Sequence, residues 1–372
     1  MASGCAQSQA AHKPVLEMIC PYEPGKPIEE VQRELGLSDI VKLASNENPL
    51  GPSPDVIDTL NRTSLGLHLY PDYEGYYLRQ ELGDGLGVSP EQLLLGAGSA
   101  EIMRLLADAF LDRGDEGVVA DICFPVYTNV IRIAGATPVA VPLDADLNHD
   151  LERMLDAVTE RTRVLFLANP NNPTGRFTPL SDIATLLDRL PARVLCALDL
   201  AYWEYVQGAS EPALIDLLRA HDNVVLLRTF SKAYGLAGLR IGYAVASAEK
   251  IAVMGRVRIP FNTSSAAQLA ARMALKDQAH IRRTVELNRR MLQVLARGVS
   301  DRGWMPWPSE ANFLLADTHQ PSDEVFDWLL RKGIIVRPVR HPRLSSCVRI
   351  TTGTEQQVER LLQAMGSGAV GT

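Results

Sequence analysis

No stretch of this chain approaches the roughly 18 consecutive apolar residues that a membrane-spanning helix needs, and residues 1–13 lack the apolar centre of a secretion signal. There is no CxxC spacing. The five cysteines, Cys5, Cys20, Cys123, Cys196 and Cys347, are scattered and odd in number, which argues against a structural zinc or other metal site and for a reduced, cytoplasmic protein. Positive charge is in deficit, with 37 Lys and Arg against 44 Asp and Glu and a net charge of −7. Outside local clusters that leaves no basic footprint for nucleic acid. Internal repeats and low-complexity tracts are also absent.

What is there is ordinary in bulk. The 372 residues, 46% hydrophobic and 22% charged, suffice for a large core and two domains. Residues 1–14 are small and polar and read as a disordered leader. Ile28, Val31 and Leu35 recur at helix spacing. The phrase KLASNENPLGP at 42–52 is too rich in Asn, Pro and Gly for regular structure and reads as a loop entering a larger domain. From about 54 to 270, helix-period stretches such as 100–111 and 181–190 alternate with short apolar runs at 117–120, 164–168, 194–198, 224–227 and 241–245. That alternation predicts a mostly parallel sheet covered by helices on both faces, the α/β class. Strands over 312–317, 334–339 and 348–351 and a closing helix over 355–365 predict a smaller α+β domain. The expected division is a leader over 1–14, an N-terminal segment over 15–50, a large domain over 51–270 and a small one over 271–372.

In such sheets ligands sit at the carboxyl ends of the strands, and the chemically loaded residues fall there. The run 164–168 leads into Asn169-Pro170-Asn171-Asn172-Pro173-Thr174-Gly175. Two Asn-Pro pairs suit a loop that holds a ring oxygen or a carboxylate, and equally a stiff turn. The run 194–198 ends at Asp199, which is costly to bury without a positive partner, although an Asp there also serves as a helix N-cap. Gly96-Ala97-Gly98-Ser99-Ala100-Glu101 opens a helix and offers backbone amides to a phosphate. It matches neither the P-loop nor the dinucleotide fingerprint, and a plain tight turn reads the same way.

The run 224–227 enters Arg228-Thr229-Phe230-Ser231-Lys232-Ala233-Tyr234-Gly235, with Arg240 eight positions past Lys232. A desolvated lysine can attack a carbonyl and form a Schiff base, most familiarly with pyridoxal phosphate. Thr229, Ser231 and Arg240 could grip that cofactor's phosphate, and Asp199 could hold its pyridine nitrogen protonated. Alone, Lys232 reads as a surface lysine; the neighbouring strand ends change that.

Together these phrases resemble the fold type I pyridoxal-phosphate enzymes, and among them the histidinol-phosphate aminotransferase family. KLASNENPLGP (42–52), Tyr70-Pro71-Asp72, Gly96–Glu101, NPNNPTG (169–175), Asp199–Tyr202, TFSKAYGLAGLRIGY (229–243) and VRITTGT (348–354) occur in family order. The resemblance implies a seven-stranded, mostly parallel sheet in a large cofactor domain plus a smaller α+β domain. It also implies a homodimer with shared sites, residues 15–50 packing on the small domain and the partner. Lys232 would carry the Schiff base and shuttle a proton, Asp199 would pair with the ring nitrogen, and Asn172 and Tyr202 would bond the phenolic oxygen. Phe124 would stack on the ring. Ser99, the amides of Ala100 and Glu101, Thr229, Ser231 and Arg240 would hold the phosphate, with Tyr70 reaching in from the partner. Arg349, Arg337 and Tyr22 would bind the substrate.

The implied reaction is ping-pong transamination between an amine, histidinol phosphate foremost, and 2-oxoglutarate. Two departures stand out: Leu200 where the family carries Glu, and Ala100 where it often carries Asp or Asn. They leave the cofactor set intact and open the substrate to other readings. One is an aromatic or specialised-metabolism amino acid aminotransferase, another a threonine-phosphate decarboxylase-like enzyme. A cofactor-binding regulator would need a DNA-binding domain that the chain shows no sign of, and the intact Lys232 argues against a catalytically dead relative.

Overall fold

The computed structural model describes His12, residues 14–19 and residues 25–366. Tyr22, and the expected leader apart from His12 and Pro14, lie outside the described residues. The centre is a seven-stranded sheet. Across it the strands run Leu93–Gly96, Gly242–Val245, Val224–Thr229, Leu195–Asp199, Thr162–Ala168, Glu116–Ala120 and Thr137–Val141. Five are parallel in sequence across the sheet, and Gly242–Val245 runs antiparallel to both its neighbours.

These strands read as near-continuous apolar runs because both faces are covered. Side chains alternate across a strand, so Leu165, Leu167, Cys196, Leu198, Val224 and Leu226 enter one core cluster while Val164, Phe166, Ala197, Val225 and Leu227 enter the other. The first cluster packs under helices Pro54–Arg62, Tyr76–Leu86, Leu180–Arg189, Glu211–Ala220 and Ser265–Lys276; the second packs under Ser99–Phe110, Val126–Ala134 and Ala248–Gly255. Each fully buried Val, Leu or Ile contributes ~1.5–3 kcal/mol relative to exposure.

The strand Thr137–Val141 is not anticipated by the apolar pattern. It forms the outer edge, its first four residues exposed or half-buried, and an edge tolerates Pro138. The stretch 334–339, expected as one strand, is two. Ile334–Ile335 pairs in parallel with Val41–Lys42, and Arg337–Pro338 joins a four-stranded antiparallel sheet with Cys347–Thr351, Phe313–Asp317 and Met305–Pro306. This smaller sheet shares a core with helices Gln278–Ser300, Ser322–Arg331 and Glu355–Met365 and with Val41 and Leu43. Residues 41–44 thus belong to the small unit's packing, and the loop after them crosses to the large one.

Candidate active site

Three neighbouring parallel strands, Thr162–Ala168, Leu195–Asp199 and Val224–Thr229, end side by side. Their register brings the Asn-rich loop, Asp199 and the Lys232 turn into one place. Asp199 is 6% exposed. Its Oδ2 accepts the Tyr127 hydroxyl at 2.5 Å and its Oδ1 the Ala201 N–H at 3.1 Å. Burial pushes its carboxyl up to about 6, against the pull of those two donors and of Lys232. The bond to the N–H two residues on is a local turn, and the next helical turn, Trp203–Tyr205, starts from Tyr202; the helix-cap reading of Asp199 is set aside.

Lys232 Nζ lies 3.3 Å from the Ser45 carbonyl oxygen and 5.7 Å from the centre of the Tyr202 ring. Desolvation, and then the charge of Arg349, bring its ammonium down to about 8, partly offset by Glu47 and Asp199. A lysine so poised has a neutral, nucleophilic fraction near physiological pH. Tyr202 is buried, its ring edge-on to Phe313 at 5.2 Å, and its hydroxyl accepts from Asn46 Nδ2 at 2.9 Å.

Arg349 Nη1 donates to Asn172 Oδ1 at 2.7 Å and Nη2 to the Ala44 carbonyl at 2.6 Å, with the guanidinium 5.3 Å from the Phe313 ring centre. Arg337 sits directly across from Arg349 in the antiparallel ladder. Opposed residues share a face, so the two guanidiniums spring from one side of the small sheet. Asn172 comes from the loop that holds cis peptide bonds at Asn169-Pro170 and Asn172-Pro173.

A cradle for an anion lies at the start of helix Ser99–Phe110. Arg240 Nη1 reaches Ser231 Oγ at 3.2 Å, Nη2 reaches the Ala97 carbonyl at 3.3 Å, and Thr229 Oγ1 accepts the Ser231 N–H at 3.1 Å. Gly98, at φ +81°, is required here twice over, because a Cβ would also overlap the Arg240 guanidinium. Glu101 turns its carboxylate back onto the Ala97 N–H at 2.5 Å and Asn262 Nδ2 at 2.7 Å, which leaves its backbone amide and that of Ala100 in the first turn of the helix.

Phe124 is half-buried and packs edge-on against Tyr127 at 5.8 Å. Tyr70 does not join the site of its own chain. It is 81% exposed and stacked on Phe261 at 4.5 Å. Leu200 is fully buried in the cluster on the far face of the sheet from Asp199, so it packs as core and does not border the site.

Three residues without an expected role are central. Asn46, at φ +55° and 1% exposed, holds Tyr202, donates its N–H to Thr351 Oγ1 at 2.9 Å and accepts Asn312 Nδ2 at 3.0 Å. Its signal was the loop phrase 42–52, whose asparagines read as punctuation. Thr351 belongs to the strand of Arg349. Tyr127, fully buried against Phe166, carries no mark in the sequence that sets it apart from core aromatics.

The donor set fits pyridoxal phosphate: a buried carboxylate with a raised pKa suited to a cationic ring nitrogen, an amine poised for a carbonyl, and an arginine beside a helix N-terminus for a phosphate. Among the described residues no helix is long and apolar enough to cross a membrane.

Residues 38–365 match the family model described as aminotransferase class I and II. The histidinol-phosphate aminotransferase of Geobacillus sp. (strain WCH70) is 46% identical over 95% of this chain and 96% of its own length. That of Moorella thermoacetica is 46% identical over 93% and 90%. The crystal structure of histidinol-phosphate aminotransferase from Sinorhizobium meliloti in complex with pyridoxal-5'-phosphate superposes with a TM-score of 0.89 at 28% identity, covering 97% of this chain and 98% of that one.

Proposed function

Since the chain belongs to the class I and II aminotransferases and is an enzyme that uses pyridoxal phosphate, we propose that it moves the amino group of histidinol phosphate to 2-oxoglutarate in a ping-pong cycle. The observation that carries this substrate is the pair Arg337 and Arg349, opposed on one face of the small sheet, with Arg349 bonded to Asn172. Two guanidiniums suit a phosphate in one half-reaction and a carboxylate in the other. Tyr22, assigned to the substrate by resemblance alone, is kept in that role.

The cofactor supplies a carbonyl that takes up the amine and a ring that accepts the electron pair of the breaking Cα–H bond. Lys232 would tether it, and its Nζ is the amine placed to carry the proton away from Cα. Asp199 meets the ring nitrogen with negative charge. Tyr202, held by Asn46, and Asn172 orient the phenolic oxygen, and Phe124 covers the ring. Ser99, the amides of Ala100 and Glu101, Thr229, Ser231 and Arg240 bind the phosphate.

Two such chains form a homodimer in the cytoplasm, and Tyr70 completes the phosphate site of the partner. Leu67, Leu69, Tyr70, Ile259 and Phe261 support this, since all are exposed apolar residues and such patches mark interfaces.

The test is a panel of donors, histidinol phosphate, phenylalanine and tyrosine, with 2-oxoglutarate as acceptor and carbon dioxide release measured in parallel. Histidinol phosphate should show the highest kcat/KM with no carbon dioxide. A higher value for phenylalanine or tyrosine, or stoichiometric carbon dioxide, would sink the assignment.

A further inference from the structure

Tyr127 lies outside the set assigned above, yet its hydroxyl makes the shortest polar contact to Asp199. Helix Val126–Ala134 turns Tyr127, Val130 and Ile131 into the core, where the phenol ring stacks on Phe166 at 5.0 Å and 13° and meets Phe124 edge-on. The ring is 1% exposed. Its oxygen is 2.5 Å from Asp199 Oδ2. A buried phenol must find a partner, and an apolar core could have been filled as well by Phe.

We propose that Tyr127 is a positioning residue that acts on the cofactor through Asp199, its O–H fastening Oδ2 so that the ring nitrogen meets a charged carboxylate in one fixed orientation. Three features support this. The carboxylate has about four lone-pair sites; Tyr127 and Ala201 take one on each oxygen, which locks its rotation and leaves the others for the ring nitrogen. Tyr127 holds its own proton, because burial and the negative charge of Asp199 push its ionisation well above the ordinary phenol value, so it remains a donor. Asp199 is also desolvated, and a donor to the charged form counters the tendency of burial to neutralise it. The inference rests on the reading of Asp199 as the partner of the ring nitrogen.

A double-mutant cycle tests it, with pyridoxal phosphate titrated into the full-length, cofactor-stripped protein and affinity read from the absorbance change. Tyr127→Phe keeps both aromatic contacts and removes only the hydroxyl. It should weaken cofactor binding about tenfold, the worth of one hydrogen bond to a charged group. In an Asp199→Ala background the same change should alter affinity by less than about twofold, since the group through which it acts is gone. Equal losses in both backgrounds would make Tyr127 a packing residue, and no loss in either would remove it from the site; each result overturns the proposal. The single Asp199→Ala variant tests the underlying reading by itself, because unchanged affinity there refutes Asp199 whatever Tyr127 does.

Discussion

Arg349 Nη1 stands 2.7 Å from Asn172 Oδ1, a bond that ties the candidate substrate arginine of the small sheet to the candidate cofactor loop of the large one. An amide that accepts through its oxygen keeps its N–H groups for another acceptor, so Asn172 can serve both ligands. Asn172→Ala should therefore weaken cofactor binding and raise KM for both substrates, each on the order of tenfold. Steady-state kinetics at saturating pyridoxal phosphate separate the two effects. A KM unchanged for both substrates would confine Asn172 to the cofactor.

If Lys232 captures the cofactor as proposed, it must do so in its neutral form. With its ammonium held at about 8, the capture rate by cofactor-free protein should rise through pH 8 and level off above it. Arg349 is the largest charge lowering that value, so Arg349→Gln should shift the midpoint upward and slow capture at pH 7.5. Stopped-flow absorbance across pH reads both. Lys232→Ala should remove the visible band of bound cofactor and cut turnover by at least about 10³-fold.

In its proposed role as partner of the ring nitrogen, Asp199 would exchange stability for function. A carboxyl that binds its proton more tightly in the fold than in the unfolded chain stabilises below pH 3.8 and loses that advantage as pH rises through about 6. At pH 8 the cofactor-free fold carries the cost of a buried charge. Asp199→Asn should then stabilise the cofactor-free protein at pH 8 by about 1–3 kcal/mol while weakening cofactor binding, and the gain should vanish near pH 4. Urea unfolding at the two pH values checks it.

Tyr70 points out of its own chain, 81% exposed. If it serves the partner's site, co-expressed Lys232→Ala and Tyr70→Ala chains should regain activity in the hybrid dimer, because one of its two sites has both residues intact. About half the wild-type activity per hybrid is expected. Hybrids no more active than either parent would place Tyr70 outside the reaction.

Behind the site, Arg228 is 3% exposed and is clamped by Glu204 at 2.8 Å and Glu211 at 3.0 Å. The pair to Glu204 joins the strand leading to Lys232 with the turn after Tyr202. Glu204→Ala removes the buried half of the clamp, leaves Arg228 to Glu211 and should cost about 1–3 kcal/mol in urea unfolding. Glu211, whose side chain is 40% exposed, should cost about 1 kcal/mol or less. Equal costs would show the two carboxylates to be interchangeable.

Much of this protein is local and therefore legible in its sequence. Five strands of the large sheet are continuous apolar runs, and their alternation with helices follows from hydrophobicity; the count of seven comes from the family resemblance and not from that pattern. The edge strand Thr137–Val141 escapes because solvent on one side permits polar and Pro residues. Lys232, Asp199, Asn172, Ser231 and Arg240 sit in phrases whose polar residues contradict their apolar surroundings, and that contradiction marks them. The tertiary structure alone decides which of them meet, and through what. Asn46 and Tyr202 are 156 positions apart and Tyr127 and Asp199 are 72 apart; no periodicity spans such distances, because strand order and register set them. Leu200, adjacent to Asp199 in the chain, lies on the opposite face of the sheet, as the alternation of a strand dictates. Sequence determines which residues carry the chemistry, since composition and spacing act locally. The fold determines which neighbours tune them, since burial and hydrogen bonding act only between groups that folding has brought together.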